Sequence, residues 1–159
     1  MSKALVAYFS ASGTTRRAAE RLAAATGSDL YEIKPAVPYT RADLNWQDKS
    51  SLSSLEMNDP SSRPELADHD ANLAGYDRIF LGFPIWWYTA PHIIRTFLES
   101  YDFAGKTVIP FVTSGGSGLG KIDSILGAVC PAAVWLPGKR MQSTESATAV
   151  QEWVNTLNL

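Results

Sequence analysis

Between Arg78 and Tyr101 the chain reads R-I-F-L-G-F-P-I-W-W-Y-T-A-P-H-I-I-R-T-F-L-E-S-Y. This stretch constrains the fold more than any other. It opens on an apolar run, Ile79 to Phe83, of the length and composition of a buried strand. Pro84 stops the run. Trp86, Trp87 and Tyr88 follow, and Pro91 then opens a helical pattern with Ile93, Ile94, Phe97, Leu98 and Tyr101 on one face. The order is therefore buried strand, aromatic turn, amphipathic helix. Turns are usually polar and solvated, so large aromatic rings there ask for a reason. In an open α/β sheet the turn after a strand is where ligands bind, and indole and phenol rings offer flat faces to a flat ligand.

The rest of the chain supplies the sheet. Ala4 to Phe9 is a continuous apolar run, as expected of a central parallel strand covered on both faces. Ser10-Ala11-Ser12-Gly13-Thr14-Thr15 interrupts it. Ala18, Ala19, Leu22 and Ala23 then recur at helical spacing up to Gly27. Asp29 to Ile33 reads as a shorter, more polar strand suited to an edge. From Lys34 to Gly75 the periodicity is lost among Pro35, Pro38, Pro60, Pro64 and a run of serines. A structureless loop of that length is out of place in a compact domain, so a helix is expected around Asp43 to Leu55, folded over one end of the sheet. Thr107 to Val112 is a fourth strand, with a local irregularity expected at Pro110, which brings no ladder donor. The loop Thr113-Ser114-Gly115-Gly116-Ser117-Gly118 follows. Ile122, Ile125, Leu126 and Val129 mark a helix, Ala132 to Leu136 a fifth strand, and Val150, Trp153, Val154 and Leu157 a last helix. Strands alternating with helices predict an α/β fold: a doubly wound, five-stranded parallel sheet with an extra segment between strands 2 and 3.

Length and composition exclude several classes. The 159 residues fit one domain spanning 1–159, and 45% are hydrophobic, enough for a real core. No run of eighteen apolar residues indicates a transmembrane helix, and Met1-Ser2-Lys3 leads straight into strand-like sequence without a signal peptide. The single cysteine, Cys130, forms no internal disulfide, which fits a cytoplasmic protein; it reads as a small buried hydrophobe. Net charge is -2 with no basic stripe, which argues against nucleic acid as a partner. No Cys/His spacing suggests a metal. Gly115 to Lys121 matches G-x-x-x-x-G-K, but Ile122 replaces the hydroxyl residue that magnesium needs. Gly115 to Leu119 misses a nucleophile elbow because Leu119 replaces glycine. His92, beside Pro91, reads as a first-turn helix residue.

All strand C-terminal ends of a parallel sheet lie on one side, so three loops must gather there. Ser10–Thr15 is rich in hydroxyls and leads into a helix N-terminus, where orphan amides and the helix dipole favour an anion. Simple helix capping by Ser and Thr is the other reading of the same residues. Pro84-Ile85-Trp86-Trp87-Tyr88 supplies aromatic faces, or else a hydrophobic contact patch. Thr113–Gly118 supplies glycines that let backbone approach a planar ligand, or else a flexible surface loop. Together the three specify a flat aromatic ligand carrying a phosphate.

On these residues the chain resembles the flavodoxin-like proteins, in particular the flavodoxin_4 type, over essentially its whole length. S-A-S-G-T-T is similar to their phosphate loop for flavin mononucleotide (FMN). G-F-P-I-W-W-Y and T-S-G-G-S-G are similar to the two loops that sandwich the isoalloxazine ring. The resemblance implies strand order 2-1-3-4-5 and FMN as cofactor. It implies phosphate on Ser10, Ser12, Thr14 and Thr15, with Ala11 and Gly13 in the same loop. Trp87 would stack on the ring, Trp86 and Tyr88 would lie nearby, and backbone groups of Ser114 to Gly118 would meet the pyrimidine side. Trp46, in the extra segment, is a further candidate for the pocket wall.

The long insertion that splits strand 5 of long-chain flavodoxins is missing, and carrier flavodoxins are far more acidic. P-I-W-W-Y-T-A-P is also similar to flavodoxin-fold quinone reductases. Carriers of this family transfer single electrons with the help of a backbone carbonyl that turns toward the flavin beside a glycine, whereas Pro84–Tyr88 has no glycine and no carboxylate. The expected function is two-electron reduction of a small acceptor such as a quinone by NADH or NADPH. The alternative is an electron carrier for a redox protein partner, and a weaker one is a degenerate domain that binds no flavin.

Overall fold

The computed structural model describes residues 4–87, 89–113, 121–142 and 144–157. Its parallel sheet comprises β1 (Ala4–Tyr8), β2 (Asp29–Glu32), β3 (Arg78–Pro84), β4 (Thr107–Thr113), β5 (Val134–Trp135) and β6 (Lys139–Arg140). The helices are α1 (Thr14–Thr26), α2 (Leu52–Asn58), α3 (His92–Ser100), α4 (Ile122–Val129) and α5 (Ala147–Thr156). Spatial order is β2-β1-β3-β4-β5, with β6 also paired to β4. The expected order 2-1-3-4-5 is the observed one. Among the described residues, no helix is long and apolar enough to cross a membrane.

Strand alternation distributes the core to two faces. Leu5, Ala7, Phe9, Ile79, Leu81, Phe83, Val108 and Val112 pack with Ile93, Ile94 and Phe97 of α3 and Ile122 and Leu126 of α4. Val6, Tyr8, Phe80, Ile109 and Phe111 face the other way, onto Ala18, Ala19 and Leu22 of α1 and Val150 of α5. That is why the strands read as unbroken apolar runs: neither face meets water.

Two local expectations are corrected. The fifth strand is not one segment from Ala132 to Leu136 but two pieces, and Pro110 explains the break. The amides of Val134 and Leu136 donate to the carbonyls of Lys106 (2.8 Å) and Val108 (3.0 Å). The next rung needs an N–H at position 110, which proline lacks. Pairing resumes only at Phe111↔Lys139 and Val112↔Arg140, after Val108↔Trp135. The edge strand thus spends one more residue than β4 across the gap, as a bulge does. Pro110 leaves β4 itself continuous, in register with Leu81 of β3. The irregularity falls wholly on the outer neighbour.

The second correction concerns the extra segment. Its helix is α2, Leu52–Asn58, rather than a helix from Asp43 to Leu55. Residues 41–44 form turns, held by reciprocal bonds between Thr40 and Asp43 (Thr40 N–H to Oδ2, 2.8 Å; Asp43 N–H to Oγ1, 3.1 Å). Such local side-chain bonds compete with helix. Ser51 caps α2 by accepting from the Ser54 amide. The two ends of the segment are pinned together by an antiparallel bridge, Pro35↔Leu66. Its middle is tied to α3 by Ser62 Oγ and His92 Nδ1 at 2.6 Å and by the Arg63–Glu99 ion pair.

Candidate functional site

The ends of β1, β3 and β4 meet at one edge. The Phe9 amide donates to Gly82 O (2.9 Å), just beyond β1, and so fixes where the Ser10 loop begins. Pro84 is the last residue of β3 and pairs with Thr113, the last of β4. The Ile85 amide donates to Thr113 O at 3.0 Å. Thr15 and Thr113 share a hydroxyl–hydroxyl bond of 2.7 Å inside the protein. The three loop roots predicted from sequence are thus brought together. Tyr88 and Ser114, Gly115, Gly116, Ser117 and Gly118 lie outside the described residues.

In the first loop, Ser10 Oγ accepts from the Gly13 amide (3.0 Å), and Ser12 and Thr14 hydroxyls approach to 3.4 Å. Gly13 takes φ +94, a region that favours glycine, and occupies the cap position of α1 without any side-chain cap. No side chain caps the start of α1, and an uncapped helix start attracts an anion. Thr15 is only 1% exposed. Its hydroxyl is engaged with Thr113. Arg17 was missed from sequence: its Nη1 lies 3.3 Å from where a Cβ on Gly13 would stand. It is one turn into the helix, and that i+4 relation to Gly13 is the signal that was available.

The aromatic turn separates its two tryptophans. Trp86 packs edge-on against Phe9 (ring centres 5.7 Å) and Tyr39 (5.5 Å), so it belongs to the wall behind the turn. Trp87 is 40% exposed and sits at φ +49, a strained backbone for a bulky residue. Reciprocal amide bonds hold the turn shut: Trp86 N–H to Thr89 O (2.9 Å) and Thr89 N–H to Trp86 O (3.0 Å). Tyr39, whose neighbourhood in sequence gives no periodic signal, turns out to support Trp86. Its hydroxyl donates to Glu56 Oε1. Burial, then that hydrogen bond, push the Tyr39 phenol pKa up, and burial raises the Glu56 carboxyl. A cavity of about 340 Å³ beside the first loop is lined by Phe9, Ser10, Ala11, Lys34 and Tyr39 among others.

His92 begins α3, as read from sequence, and is buried. Burial, with help from Arg95 and Arg63, holds its pKa below the usual imidazole range. It faces the extra segment rather than the loops. Burial also raises the Cys130 thiol, which keeps it a thiol. Among the described residues no cluster of His, Cys, Asp and Glu could hold a metal ion.

A doubly wound sheet in this strand order, with an open helix start beside an aromatic turn at its carboxyl edge, defines a flavodoxin-like protein. The model of the flavodoxin family matches residues 3–157, and the chain belongs to that family. A candidate flavoprotein from Bacteroides eggerthii is 49% identical, with a TM-score of 0.95 over 100% of this chain and 99% of that one. Another, from Bacteroides uniformis, is 51% identical, with a TM-score of 0.92 over 97% and 98%. A flavoprotein from Lactobacillus acidophilus, solved in complex with FMN, shares the fold at 22% identity and a TM-score of 0.75, covering 100% of both chains. A search of curated proteins found no significant match.

Proposed function

We propose that the protein is an FMN-binding redox flavoprotein that reduces a small acceptor, such as a quinone, by two electrons taken from NADH or NADPH. The observation that carries this reading is the uncapped start of α1 at the same sheet edge as a half-exposed indole, Trp87. The residues fit the cofactor. A phosphate at α1 would meet first-turn amides, the Ser10, Ser12 and Thr14 hydroxyls and the Arg17 guanidinium, with the space a Cβ on Gly13 would take left clear. Trp87 would offer its face to the ring, while Tyr88 and Ser114–Gly118 remain the proposed remainder of the site. The Lactobacillus acidophilus flavoprotein holds FMN on this fold. Bound FMN would supply reversible two-electron chemistry.

The chain's own contribution is position and rigidity. The carbonyl of Trp86 is committed to Thr89, and the Ile85 amide to Thr113. Pro84 and Ile85 stiffen the approach. In the electron carriers that the chain resembles, a carbonyl in this turn swings toward the cofactor; a swing of the Trp86 carbonyl here would break the hydrogen bond it accepts from the Thr89 amide. The clamp favours electrons passing together.

Titration calorimetry with FMN and with riboflavin tests the site: FMN should bind one per chain and more tightly, because riboflavin lacks the dianion. Equal affinity would refute the phosphate loop. Steady-state assays with NADH, NADPH and a quinone, beside a stepwise reductive titration, test the chemistry. Direct bleaching from oxidised to fully reduced flavin, with turnover, is expected. A strong long-wavelength band that rises and falls during the titration, without turnover, would restore the electron carrier.

A further inference from the structure

The extra segment leaves an indole in solvent beside the aromatic turn. Trp46 is 69% exposed. It lines a cavity of about 630 Å³ together with Trp87, Gln47, Lys49, Ser54 and Asn58. Two tryptophans, distant in sequence, are thus brought to one opening and yet kept out of the core. Leaving apolar area in water forgoes the stabilisation its burial would bring. Flat apolar faces with a few polar groups among them make up a small-molecule site rather than a packing defect.

The polar groups indicate the charge of the ligand. Among the described residues Lys49 is the one charged side chain on this lining, and it makes no ion pair with any of them. The neighbouring Asp48 carboxylate does not line the cavity, and its Oδ1 accepts from the Ser50 amide (2.9 Å) and hydroxyl (2.7 Å). Ser54 lies buried at the cavity; its Oγ accepts from Ser51 Oγ (2.9 Å), and its own proton has no acceptor among the described residues. Gln47 and Asn58 add amide donors.

We infer that this cavity is a binding site for a planar aromatic anion, the chemistry of an acidic quinone acceptor: its ring against Trp46 and the part of Trp87 that the flavin would leave open, its anionic group toward Lys49 Nζ, its carbonyl oxygens within reach of Gln47, Ser54 and Asn58. The assignment to the acceptor rests on the proposed redox function; the binding itself does not. The site is built by the extra segment, which gives that segment a role in selecting the ligand.

Titration calorimetry with naphthalene-2-sulfonate and with neutral 2-naphthol, with and without saturating FMN, tests it. The sulfonate should bind FMN-saturated protein more tightly than 2-naphthol, by about fivefold for one partly screened charge. Lys49→Met should erase that preference while 2-naphthol affinity stays. Trp46→Ala should weaken both ligands. A preference unchanged in Lys49→Met, sulfonate affinity unchanged in Trp46→Ala, or displacement of the sulfonate by FMN would each overturn the site. Lys49 is exposed, so its variant keeps the fold even where Trp46→Ala does not. Displacement of the probe by NADH, and not by 1,4-naphthoquinone-2-sulfonate, would overturn the assignment to the acceptor. A protein that binds the sulfonate with these dependences but not FMN would refute the proposed function and leave the site standing.

Discussion

Replacing Gly82 by alanine should cost the fold far more than one methyl group suggests. Gly82 lies on β3 beside Phe111 of β4, and the Phe111 ring covers it. A Cβ on Gly82 would stand 2.1, 2.4 and 2.7 Å from Cζ, Cε2 and Cε1 of that ring. Carbons in contact sit about 3.5–4.0 Å apart, so the ring would have to retreat by about an ångström or more. It has little room to do so. Phe111 is fully buried among Val6, Tyr8, Ala18, Leu22, Met141 and Val150, and interiors are packed as densely as organic crystals. Overpacking costs about 1–3 kcal/mol, occasionally more. With three ring atoms inside contact distance, Gly82→Ala belongs near the upper end, at about 3 kcal/mol. The assay is urea unfolding of four proteins: the parent, Gly82→Ala, Phe111→Leu and the double variant. Phe111→Leu alone should also destabilise, by leaving a void. Because the shorter side chain vacates the contested space, the double variant should recover part of the loss, with a coupling of about 1 kcal/mol or more. Additive losses within about 0.5 kcal/mol would refute the reasoning. So would a Gly82→Ala protein as stable as the parent.

Gly13→Ala places a side chain at φ +94 and toward Arg17; it should cost about 1–2 kcal/mol of stability and weaken FMN more than riboflavin, read by unfolding and calorimetry. Trp87→Ala should weaken FMN binding by on the order of 1 kcal/mol or more, from lost stacking and apolar contact; unchanged affinity would move the stacking role to Trp86 or Tyr88. His92 has its folded pKa depressed by burial, so its contribution to stability is complete above the unfolded value of about 6.5 and lost as pH falls through the lower folded value. The urea midpoint should therefore drop from pH 7 toward pH 5.5, and His92→Gln should flatten that drop; equal slopes in both proteins would remove His92 from the account.

Much of the fold was legible because its signals are local. Ala4–Tyr8, Arg78–Pro84 and Thr107–Thr113 are covered on both faces, so apolarity alone reports them. The α3 stripe of Ile93, Ile94, Phe97 and Leu98 reports its buried face through spacing. The edge strand was misread for the opposite reason. Val134, Trp135, Lys139 and Arg140 pair on one side only, and where they pair depends on a missing amide at Pro110, a residue of another strand. The α2 boundary depended on whether Thr40, Asp43 and Ser51 bond to backbone nearby, a competition that residue type leaves open.

The sequence by itself determined the alternation of strands and helices, and hence that the hydroxyl, aromatic and glycine loops follow β1, β3 and β4. Parallel strands share a direction, so loop chemistry at strand ends becomes site chemistry without any knowledge of side-chain positions. Only the tertiary structure decided which tryptophan is packed and which is exposed. Trp86 and Trp87 are neighbours of the same type, and no local rule separates them. Contact with Phe9 and Tyr39 draws one inward; a positive φ in a turn closed by Thr89 turns the other outward. Only the structure brought Trp46 and Lys49 to the same opening as Trp87, because the path of the extra segment is set by long-range ties, Pro35 to Leu66 and Ser62 to His92, that join residues far apart in the chain.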